Sequence, residues 1–135
     1  MHCFTHGPRK GWVLSDYDPA LHYRDSRETR IFCFRRHELS LRLPDIARSL
    51  GTQPCYHTGH GNYFLIELVG KDGKKLEYEV YFQVNCMQKG LLKLFIRSAF
   101  VRDEDRRQAQ PKKRKISFFV IAHNTQIGKL IKMQK

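Results

Sequence analysis

The chain has 135 residues, 41% hydrophobic and 12% aromatic, enough for one core and too few for two. It carries 25 Lys and Arg against 13 Asp and Glu, a formal net charge of +12, and no apolar run near the roughly 20 residues that cross a bilayer. A disordered basic tail and a membrane span are therefore excluded, and with no apolar leader stretch the expected location is cytoplasmic.

Residues 1–30 are polar and broken by Gly7, Pro8, Gly11 and Pro19, so they read as an N-terminal arm ahead of a single domain over 31–135. "RIFCFRR" (30–36) suits a short strand. "ELSLRLPDIARSLG" (38–51) suits a short helix, with Pro44 at a first helical position, Asp45 in the first turn, Gly51 as its C-terminal cap, and Leu43, Ile46, Ala47 and Leu50 on one apolar face. From residue 63 the period changes. "YFLIELV" (63–69) is a strand, "GKDGK" (70–74) a hairpin turn, and "LEYEVYFQVN" (76–85) alternates Leu76, Tyr78, Val80, Phe82 and Val84 against a polar face. "LLKLFIRSAFV" (91–101) and "KISFFVIAHNT" (115–125) complete four strands. The expected fold is α+β, an N-terminal helix packed on a four-stranded antiparallel β-meander.

The charge is uneven. Residues 89–135 hold 13 Lys and Arg against three acids, and residues 1–88 hold 12 against 10. A basic half on a folded domain points to a polyanion partner, with RNA preferred over DNA and no membrane role. Lys93, Arg106, Arg107, Lys112, Lys113, Arg114 and Lys115 are the expected backbone-gripping residues. "PKKRK" (111–115) resembles a nuclear import signal, but it leads directly into an expected strand, which favours loop electrostatics. "DIARSLGTQP" is not a helix-turn-helix, because the "CYHTGHG" that follows has no helical period.

One strand register gathers Glu67, Glu79, Tyr81, Arg97 and His123 on the sheet face away from the helix. A base, an acid and an arginine on one basic surface are the parts of a metal-independent ribonuclease. His60, in a glycine-bounded loop at its rim, adds a proton-transfer candidate, since histidine is the residue type whose unperturbed pKa lies near neutrality. The expected catalytic set is His60, Glu79, Tyr81, Arg97 and His123. The alternative for the same residues is cross-strand ion pairing on a solvated face. His57 and His60 stand at i, i+3 outside any helical pattern and lack a third ligand, so no metal and no cofactor are expected. Cys3, Cys33, Cys55 and Cys86 form no CxxC pair and read as reduced thiols.

The order of helix then four antiparallel strands resembles the small endoribonuclease fold of barnase, colicin ribonucleases and RelE/ParE-type toxins. The segments "ELSLRLPDIARSL", "YHTGHGNYFLIEL", "YEVYFQV", "LFIRSAFVRD" and "KISFFVIAHNT" resemble a bacterial family sometimes labelled stationary-phase growth adaptation proteins. That label implies no chemistry and no site residues. The expected function is a toxin-like, metal-independent endoribonuclease. The alternatives are a non-catalytic nucleic-acid or ribosome-binding module, and an interaction domain for an acidic protein partner.

Overall fold

The computed structural model describes residues 2–59, 64–68, 78–101 and 114–132. In chain order the strands and α-helices are β1 (Thr5–His6), β2 (His22–Arg24), β3 (Thr29–Phe32), α1 (Phe34–Ser40), α2 (Leu43–Arg48), β4 (Cys55–His57), β5 (Phe64–Leu68), β6 (Tyr78–Cys86), β7 (Leu92–Val101), β8 (Arg114–Ile116) and α3 (Phe118–Gln126). The strands form two antiparallel sheets, a small one in the order β1-β3-β2 and a larger one in the order β7-β6-β5-β4-β8.

The alternation in β6 builds the core. Tyr78, Val80, Phe82 and Val84 point to one face and are buried. Against them lie Leu43, Ile46 and Leu50 from the α2 region and Ile121 from α3, so helices cover one face of the larger sheet. β6 and β7 pair along their length, except that Tyr81 opposes Ser98 while Phe82 opposes Ile96. Arg97 is thus the extra residue of a β-bulge.

The expected four-stranded meander under one N-terminal helix is not what forms. β5, β6 and β7 do run as consecutive antiparallel neighbours. The expected fourth strand, however, is a helix. In α3 Ile121 is buried, and Phe118, Ala122 and Thr125 beside it at helical spacing are partly buried, as is Asn124, while Phe119, Val120 and His123 are exposed. Ser117 starts the helix as its N-cap, accepting a hydrogen bond from the Phe119 N–H at 3.3 Å. An apolar run this short fits either period in the sequence, and packing on β6 decides for the helix.

Cys55–His57, read as loop, is a strand instead, and Arg114–Ile116, which includes the first two residues of the expected fourth strand, is a strand as expected there. These two pair with each other and extend the sheet beyond β5. The helical segment begins at Phe34, inside the stretch read as a strand, and bends before α2. Pro44 has no N–H for the Ser40 carbonyl, so a continuous helix through this point is interrupted. Gly51 is not the cap, since α2 ends at Arg48 with Ser49 as its C-cap. A Cβ on Gly51 would stand 3.0 Å from Phe119 Cζ, so glycine here permits a close approach of α3.

Residues 1–30 contribute β1 and β2, which flank β3. Arg36 joins this small sheet to the larger one. Its guanidinium donates to the Thr5 carbonyl at 2.6 Å and lies 5.6 Å from the centre of the Phe100 ring. The four cysteines are free thiols. The turn expected at 70–74 lies outside the described residues.

Candidate nucleic-acid interface

A concavity lies where β8, α3 and the chain after α3 meet. Its construction starts at Gly128. Gly128 takes φ +70°, its N–H donates to the Thr125 carbonyl at 3.2 Å, and the Lys129 N–H donates to the Asn124 carbonyl at 2.8 Å. This pair of bonds is a Schellman turn, and it directs the chain back beneath the helix. The returning segment is then held by His57. The Gly59 N–H can only donate, so it fixes His57 Nδ1 as an acceptor at 2.8 Å, and the ring proton therefore sits on Nε2. Nε2–H donates to the Ile131 carbonyl at 3.0 Å. His57 is only 4% exposed, and its role is to hold the groove wall.

The result is an open groove of about 760 Å³ lined by His57, Ser117, Val120, Asn124, Ile116, Ile131, Leu130 and four cations, Arg114, Lys115, Lys129 and Lys132. Ile116 and Ile131 pack against the core and form an apolar floor, while the cations are exposed around it. No Asp or Glu is among the described residues that line it. Four like charges around one concavity raise the local potential for an anion.

The residues expected to be catalytic are distributed differently. Glu79 and Tyr81 share one face of β6, and the Tyr81 hydroxyl donates to Glu79 Oε2 at 2.9 Å. Tyr81 also stacks on Phe100, with ring centres 5.8 Å apart. Arg97 lies beside them at the bulge in β7, its guanidinium 5.7 Å from the Phe95 ring centre. Glu79, Tyr81 and Arg97 are thus brought together on the paired strands β6 and β7. Glu79, however, is 1% exposed, which closes it to a substrate hydroxyl. His123 is on α3, whose Ile121 packs on the face of β6 opposite to Glu79, so the sheet separates His123 from that pair. His60 lies outside the described residues, as does the side chain of Glu67, whose backbone pairs with Glu79.

Of the expected phosphate-gripping residues, Arg114 and Lys115 line the groove on β8. Lys93 is on β7, at the other edge of the same sheet. Four strand spacings of about 4.8 Å put these edges about 19 Å apart. Arg106, Arg107, Lys112 and Lys113 lie outside the described residues. Sequence reasoning missed Lys129, Lys132, Asn124 and the anchoring role of His57. The available signal was Gly128 just after "AHNTQI", a helix-ending glycine, and reading that segment as a strand concealed it.

Among the described residues no three His, Cys, Asp or Glu side chains gather as a metal site requires, and no helix is long and apolar enough to cross a membrane. Neither a curated protein nor a solved structure shows a significant match to this chain. The family model described as the YjaZ family matches residues 1–126, nearly the full length, and the chain belongs to the YjaZ family.

Proposed function

We propose that the protein is a nucleic-acid-binding module that grips phosphates in the groove between β8, α3 and the residues after α3, and that it does not cut its ligand. The observation that carries this reading is the groove itself: Arg114, Lys115, Lys129 and Lys132 around one concavity, with no acid among the described lining residues. Such a site attracts a phosphate backbone by releasing its counterions. Binding is favoured over cleavage because Glu79 is buried against Tyr81 and His123 sits across the sheet from both. A general acid and base must reach the same phosphodiester.

The test is fluorescence anisotropy with a labelled RNA. Replacing Lys129 and Lys132 together by Glu is expected to weaken binding at least about tenfold, the scale of losing two phosphate contacts. Lys93→Glu, at the far edge of the sheet, is expected to leave the affinity within about twofold, although it changes the charge as much as Lys129→Glu alone. A loss for Lys93→Glu equal to that for Lys129→Glu alone would mean that total charge, not the groove, holds the ligand. RNA cleavage in EDTA that disappears in His123→Ala would replace binding by catalysis.

A further inference from the structure

The groove differs from a plain basic patch in having an apolar floor. Ile116 and Ile131 pack on the core beneath it, and Val120 and Leu130 are exposed at its sides. Asn124 lines it as well, with an amide that offers both donor and acceptor. Its volume of about 760 Å³ falls in the range of sites that enclose a small organic group. Phosphate oxygens alone have no use for such a floor, because burying an apolar surface under a hydrated anion leaves the anion short of hydrogen bonds.

Resting on the nucleic-acid reading above, we propose that the groove is specific for single-stranded nucleic acid and seats an unstacked base on Ile116, Val120, Leu130 and Ile131. The flanking phosphates then lie on Arg114, Lys115, Lys129 and Lys132. A duplex keeps its base faces inside the stack and presents phosphates on a convex surface. It meets the rim cations and leaves the floor empty. A single strand turns a base inward at little cost, and each base face so covered adds to affinity without requiring a particular sequence.

The test compares a labelled oligouridylate of about 12 nucleotides, within the span of known single-strand sites, with an RNA duplex of the same length. The single strand is expected to bind about tenfold more tightly at equal salt. Val120→Lys gives the second reading. It adds a cation at a half-exposed position, so charge-driven binding strengthens, whereas base seating weakens because the apolar surface is lost. Weaker single-strand binding by this variant supports the proposal. A duplex that binds as tightly as the strand, or a Val120→Lys protein that binds both more tightly, overturns it while leaving nucleic-acid binding intact. No salt-dependent binding of either RNA overturns the nucleic-acid reading and this proposal together. The wild-type comparison of strand with duplex decides the matter even where the variant fails to fold.

Discussion

Two buried side chains near the core carry protons that the folded state holds more tightly than the unfolded chain. Desolvation pushes the Cys55 thiol up from 9.0 to about 11. Burial, with a smaller contribution from Cys3, pushes the Tyr78 hydroxyl up from 10.0 to about 12. In both, the folded pKa is raised, so the native state keeps a proton that the unfolded state has already released. Their contribution is complete below pH 9 and is lost as pH rises through 9 to 12. Urea midpoints measured from pH 7 to pH 12 are expected to stay level to pH 9 as far as these groups are concerned, and then to fall. The Tyr78 hydroxyl also finds no hydrogen-bond partner among the described residues. Tyr78→Phe removes a buried polar group at nearly constant shape, so it is expected to raise stability at pH 7 by about 1 kcal/mol and to flatten the upper limb. A loss of stability in Tyr78→Phe would mean that the hydroxyl is satisfied.

At the level of elements, α3 and the turn after it decide where the groove lies. Gly128 holds φ +70°, and a Cβ placed there meets nothing within 4 Å. The cost of Gly128→Ala is therefore backbone strain alone, about 1 kcal/mol. The same change loosens the turn that carries Lys129 and Lys132, so RNA affinity is expected to fall with stability. A Gly128→Ala protein with unchanged urea midpoint and unchanged RNA affinity would show that the turn is not needed. The element that best matched its sequence pattern is β6, because a ten-residue alternation has no helical counterpart. The element that departed furthest is α3, because "SFFVIAHNT" places apolar residues where both periods find them. β4 and β8, at three residues each, are too short to carry a period at all. β4 pairs with the edge of β5, and β8 pairs in turn with β4.

For the whole molecule, a net charge of +12 determines only that an anion is attracted. The strand order then separates the cations, placing Lys93 at one edge and Arg114 and Lys115 at the other. The proposed binding through the groove is therefore expected to have a limited electrostatic footprint. For a single strand the logarithm of the affinity is expected to fall with the logarithm of salt concentration by about 0.7 per phosphate contact, so Lys132→Ala reduces that slope by about 0.7 and Lys93→Ala leaves it unchanged. Titrations of the three proteins between low and moderate salt measure this directly. Equal slopes in all three would remove Lys132 from the interface.

The sequence by itself determined the strong net positive charge, the apolar face of residues 43–50, the course of β5, β6 and β7, and the inward set of Tyr78, Val80, Phe82 and Val84. Each of these follows from composition or from a periodicity long enough to be unambiguous. Only the tertiary structure decided that residues 118–126 are helical, that "CYH" is a strand whose histidine anchors Ile131, and that Glu79 is buried beside Tyr81. It also decided that Lys129 and Lys132 line one groove together with Arg114 and Lys115. These depend on which distant segments meet. The contact between His57 and Ile131 spans 74 residues, and no local pattern of charge or hydrophobicity encodes a partner at that separation.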